Sequence, residues 1–116
     1  MKKTILAPLF AMVILASCVA PNNQLYYWGN YSNTLYTYTK EPSAKTRDAH
    51  KKELLNIVSI SEKQNKRVAP GIFAELGHIN LIESNQDQAA TFFQKELALY
   101  PESKKVIDIA LQKKTK

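Results

Sequence analysis

The chain is poor in the residues that staple or break a fold, with one cysteine, three glycines and five prolines in 116 residues. A single cysteine excludes an intramolecular disulfide and leaves a cysteine-based zinc site without its thiolates. So little turn chemistry argues against a sandwich or barrel of many short strands. Hydrophobic residues make up 45% of the chain and charged residues 22%, which is ordinary for globular protein. The length suits one small domain. The expected class is all-α.

What is present begins with an address. Lys2 and Lys3 precede an apolar run from Thr4 to Ala16 that includes Ile5, Leu6, Leu9, Phe10, Val13, Ile14 and Leu15. At roughly 13 residues the run is short for a transmembrane helix and right for the apolar stretch of a secretory signal. Leu15-Ala16-Ser17-Cys18 resembles the bacterial lipobox, in which small residues admit the processing peptidase and the cysteine thiol accepts diacylglycerol. The expectation is a cleaved lipoprotein signal peptide over 1–17, with lipidated Cys18 as the new first residue. Each buried acyl CH₂ contributes about 0.8 kcal/mol, so several chains anchor a protein essentially permanently. Val19 follows, where lipoproteins retained on the inner membrane usually carry aspartate. That places the expected destination at the periplasmic face of a Gram-negative outer membrane.

Losing Lys2 and Lys3 lowers the net charge from +6 to +4. A mild positive balance on an exported chain reads as a solvated helical surface, not a nucleic-acid site.

After the lipid site, 18–42 is expected to hold the anchor, a polar tether and an aromatic segment, and 43–116 the helical body. Tyr26, Tyr27, Trp28, Tyr31, Tyr36 and Tyr38 include every tyrosine but one and the only tryptophan. Two periods compete there: Tyr27, Tyr31, Leu35 and Tyr38 make a helical stripe, while Tyr36, Tyr38 and Lys40 alternate as in a strand. A short helix from Tyr31 to about Thr39 fits better. Ser43 after Pro42 is a good N-cap for an amphipathic helix from Ala44 to Gln64. Pro70 can open a second helix, Ile72 to Glu83, that is apolar on most sides and needs cover. Asp87 can cap a third that ends near Leu99 before Pro101. A fourth runs from Ser103 to Lys113.

Residues 70–103 carry the spacing of a 34-residue tetratricopeptide repeat. Phe73, Leu76, Gly77, Ala89, Phe93 and Pro101 fall on its positions, whereas Asn80 replaces the usual tyrosine and Glu96 the usual alanine. The resemblance implies an antiparallel helical hairpin, with Gly77 and Ala89 small where the helices approach and Phe73 and Phe93 beside them. It also implies a concave surface at Gly71, Ala74, His78 and Leu81, whose apolar, small-residue character suits packing against the Ala44–Gln64 helix.

From Leu25-Tyr26-Tyr27-Trp28-Gly29-Asn30-Tyr31 through Pro70-Gly71 to Tyr100-Pro101-Glu102-Ser103, the chain resembles a family of small uncharacterised Gram-negative lipoproteins. Members are typically encoded beside a lipoprotein similar to the curli secretion channel and a third small lipoprotein. The resemblance implies an outer-membrane assembly partner and no chemistry.

The residues point the same way. His50 and His78 lie on different helices without a second ligand one turn away, so no metal or other cofactor is expected. His78 reads as a half-buried packing residue. There is no glycine-rich phosphate loop, Glu75 and Glu83 are too far apart to act as a pair, and Ser59 and Ser61 have no histidine at a spacing that singles them out. The expected function is therefore non-catalytic: an interaction or assembly subunit among envelope lipoproteins, membrane-bound through its lipid. The alternative gives the Tyr/Trp cluster a sugar-binding role on peptidoglycan or lipopolysaccharide, against burial of the same rings in the core.

Overall fold

A computed structural model describes residues 24–114, which form five α-helices with no strand among them. The signal peptide expected over 1–17, Cys18 and most of the tether lie outside the described residues. The helices are α1 (Tyr31–Lys40), α2 (Ala44–Lys63), α3 (Ile72–Ile82), α4 (Gln86–Leu99) and α5 (Lys104–Lys114), with a 3₁₀ turn at Pro101–Ser103 before α5. The helical period of the aromatic segment wins over the alternating one.

Local chemistry sets the ends. The Ser43 hydroxyl accepts the Thr46 amide while the Thr46 hydroxyl accepts the Ser43 amide, a reciprocal capping box that starts α2. At the other end Asn65 takes φ +53°, and the Lys66 and Asn65 amides bond to the carbonyls of Ser61 and Glu62. These two bonds close the helix through a left-handed residue. The same device ends α3 at Ser84, φ +63°, where Asn85 N–H reaches the Asn80 carbonyl at 2.8 Å. Asn85 then caps α4 by accepting the Gln88 amide, so the cap is Asn85 and not the expected Asp87, which sits in the first turn. Pro70 also stays outside its helix: Gly71, φ +94°, is the N-cap of α3.

The three-residue turn lays α3 and α4 antiparallel, and their facing sides make the centre of the body. Leu54 and Ile57 of α2, Val68 and Ala69 of the linker, Ile72, Phe73, Leu76 and Ile79 of α3, and Phe92 of α4 form the main core. A smaller cluster of Leu81, Ala89, Phe93 and Ile107 holds α5 on the opposite side. Of the six residues at the repeat positions, five are buried and Pro101 is exposed, opening the 3₁₀ turn. Phe93 lies over Gly77 so closely that a Cβ there would collide with its ring.

The two departures from the repeat pattern are both fully buried and both hydrogen-bonded. Asn80 Nδ2 donates to its own helix at the Leu76 carbonyl, 2.7 Å. Glu96 Oε1 accepts the Gly71 amide and the Ser103 hydroxyl, each at 2.9 Å. Beside it the Tyr100 hydroxyl donates to the Val68 carbonyl at 2.7 Å. A carboxyl buried with two donors thus joins the start of α3, the end of α4 and the entry to α5.

The expected packing of the concave surface is corrected. Gly71, Ala74 and His78 border a groove whose other wall is α5, through Val106, Ile109 and Ala110, while α2 packs on the core side of α3. His78 is exposed, not half-buried, because its stretch of α3 faces that open groove.

Replacing Gly77 by alanine forces Phe93 or the helix pair to shift. The expected cost is about 1–3 kcal/mol, read as a lower urea midpoint with an unchanged slope. Serine at exposed Ala90 is the neutral control.

Candidate functional site

The aromatic segment does not form one exposed platform. It divides by helix geometry, because α1 rests on α2 through the side that carries Tyr31, Thr34, Leu35 and Tyr38. Tyr26, Tyr27 and Tyr31 pack against the main core, and Tyr38 stacks on the His50 imidazole with centroids 6.1 Å apart. Trp28 is 42% exposed and meets Tyr26 and Tyr31 edge-on at 6.5 and 5.3 Å. Tyr36 is 64% exposed and turned about 140° around the helix from Tyr31, with Lys40 over its ring. The two outward rings, Trp28 and Tyr36, therefore do not share one platform.

Entry into α1 is fixed from α2. Gly29 takes φ +47°, and the Asn30 amide donates to Glu53 Oε1 at 2.9 Å. A second tie lies deeper: His50, 1% exposed, has Nδ1 2.8 Å from the Thr34 hydroxyl and Nε2 3.4 Å from Glu75 Oε1. One buried imidazole thus links α1, α2 and α3. Its ring is covered by Tyr31 and Tyr38, with centroid distances of 5.5 and 6.1 Å.

Hydroxyl, imidazole and carboxylate in a row is the order of a nucleophilic triad, so its chemistry needs weighing. Thr34 sits inside α1, and its hydroxyl is also within bonding distance of the carbonyls of Asn30 and Tyr31. The relay therefore ends on a helix backbone and ties α1 to α2 and α3. Among the described residues no group of three or more His, Cys, Asp or Glu side chains is placed to hold a metal ion.

The same environment perturbs two phenols. Burial, and then the hydrogen bond to and negative charge of Glu75, push Tyr31 up from 10.0 to about 12. Burial, and then the neighbouring Tyr26 hydroxyl, push Tyr100 higher still. The segment before α1 therefore reaches the buried Tyr100 at the end of α4 as well as the α2–α3 face.

Sequence reasoning did not single out His50, Glu75 or Thr34 as partners, because they come from three helices 16 and 25 residues apart along the chain. Asn80 and Glu96 did carry a signal, as the two polar letters in an otherwise apolar repeat pattern. The second region of interest is α5, where Val106, Ile109 and Leu111 are exposed to 64, 46 and 43% and only Ile107 is fully buried.

Residues 25–109 match the family described as Domain of unknown function (DUF4810). The chain belongs to that family. The match spans the aromatic segment, the hairpin and half of α5. No curated protein and no solved structure matches the chain. No described helix is long and apolar enough to cross a membrane.

Two measurements test the tie. His50→Ala leaves Thr34 and Glu75 without their shared partner, so α1 should loosen first. Trp28 emission should shift red and become more quenchable by iodide at urea concentrations where helical circular dichroism is still native. Coincident transitions would refute a separate opening of α1. For pH, a phenol raised above 10.0 contributes its full stability below that value and loses it as pH rises through the folded one. Stability should fall between pH 10 and about 12, and Tyr31→Phe should make that alkaline fall shallower.

Proposed function

We propose that this protein is an outer-membrane lipoprotein, held at the periplasmic face by acyl chains on Cys18, that acts without catalysis as an assembly subunit of an envelope lipoprotein complex. The observation that carries the interaction role is α5: a short helix with three large apolar side chains exposed and an apolar groove on either side. Val106 and Ile109 stand beside one groove and Leu111 beside the other, so both sides of the helix offer apolar surface for a partner to cover. The address rests on Leu15-Ala16-Ser17-Cys18 after a short apolar run, with Cys18 the sole cysteine and therefore free for lipid. The class of partner comes from the resemblance to small lipoproteins encoded beside a lipoprotein similar to the curli secretion channel. The tetratricopeptide-like spacing of the hairpin fits a role in holding other proteins, since stacked helical pairs of that kind present extended binding surfaces.

The test is purification from membranes of the full chain tagged at its C-terminus, beside Cys18→Ala. The wild-type chain should fractionate with the outer membrane, incorporate labelled palmitate and bring the same few envelope lipoproteins each time. Cys18→Ala should lose the label, move to the soluble fraction and recover those partners poorly. Recovery of peptidoglycan fragments or lipopolysaccharide alone would overturn the assembly role.

A further inference from the structure

The charge of the mature chain is not spread along it. From residue 25 to 103 nine acidic and nine basic side chains cancel, and the whole balance of +4 falls on 104–116, where Lys104, Lys105, Lys113, Lys114 and Lys116 stand against Asp108. That segment contains α5, the helix that exposes Val106, Ile109 and Leu111. Alongside it lies a groove of about 670 Å³ between α4 and α5. Phe93 and Ile107 form its floor, Leu97 and Leu111 its sides, and Ala89 and Ala90 keep the α4 wall low. Lys104 and Asp108 stand together on its lip as an exposed ion pair of 2.7 Å, and the remaining lysines of the segment keep it positive around them.

We infer that this groove seats an amphipathic helix of a partner protein whose apolar stripe is flanked by acidic residues. Three features choose the occupant. A trough between two helices accepts the ridge of a third, and low alanine walls let its backbone come close. A flat lipid surface has no ridge to fill it. A second copy of this chain would bring another +4 segment against the first, and that repulsion disfavours self-pairing. An acid-flanked helix is complementary on both counts, apolar against Phe93, Leu97 and Leu111 and opposite in sign to the net positive segment 104–116 that forms the α5 wall. The inference rests on the assembly role proposed above and assigns it a surface and a partner chemistry.

The test uses the full lipidated chain in intact cells, with a photo-reactive phenylalanine analogue at Ala90 in the groove or, as control, at exposed Lys52 on α2. The crosslinked peptide is sequenced. The expected result is one apolar segment of another envelope protein, with more acidic than basic residues, captured from Ala90 and not from Lys52. Lys104→Glu with Lys105→Glu should lower its yield about tenfold or more, without loss of fold, because acidic residues suit the first turn of a helix. A basic segment, this chain's own peptide or lipid captured at Ala90 would overturn the inference. So would no capture at Ala90 from cells in which the tagged chain still purifies with its partners, and there the assembly role would stand. If the tagged chain purifies with no protein partner at all, the assembly role itself fails.

Discussion

Glu96 is the point on which the arrangement of the last three helices depends. Its Oε1 accepts the Gly71 amide, one of the orphan donors at the start of α3, and the Ser103 hydroxyl at the entry to α5. Gly71 takes a left-handed φ and brings no side chain to help, so a carboxyl from 25 residues away supplies the cap. Tyr100 adds a second tie four residues on, from its hydroxyl to the Val68 carbonyl. The turn from α2 into α3 and the turn from α4 into α5 are thereby fastened to each other, though they are far apart along the chain. An apolar residue at 96 would fill space but leave the Gly71 amide buried without a partner, at a cost of about 1–3 kcal/mol.

His50 plays the same part at the other end. It is buried among α1, α2 and α3 and reaches a hydroxyl on one side and a carboxylate on the other. The body is thus a hairpin with two attachments, α1 fixed through His50 and α5 through Glu96. They differ in what surrounds them. Tyr31 of α1, with Tyr26 and Tyr27 of the segment before it, packs partly buried on the main core, whereas α5 contributes a single fully buried residue, Ile107, to a small satellite cluster. α5 is also the helix that exposes three large apolar side chains, and its four lysines against Asp108 leave it with a net charge of +3. The proposed docking of another protein on this helix would account for both facts together.

Much of this was legible in the residues. Ser43 behind Pro42 and the break at Val68 to Gly71 set α2 and α3 nearly as expected, because capping and helix breaking are local effects. The period of Tyr31, Leu35 and Tyr38 likewise gave α1 its inward face. One end differs from the expectation: Asn85, not Asp87, caps α4, because Ser84 has already turned the chain there. What the residues did not show was which side of α3 would stay open. A helix apolar all round gives no preferred direction, and only the Glu96 tie, by placing α5, decides that Gly71, Ala74 and His78 face a groove and not α2. The polar partners of His50 were hidden for the same reason, since no local period relates Thr34, His50 and Glu75.

The most direct test of this account is native-state hydrogen exchange on Glu96→Ala compared with the wild-type chain. If Glu96 fastens the two turns, protection should fall first at the amides of α5 and of the first turn of α3 from Ile72 to Glu75, while the middle of α2 around Leu54 and Ile57 keeps its wild-type pattern until global unfolding. A uniform loss of protection across all the helices, or none at all, would contradict it.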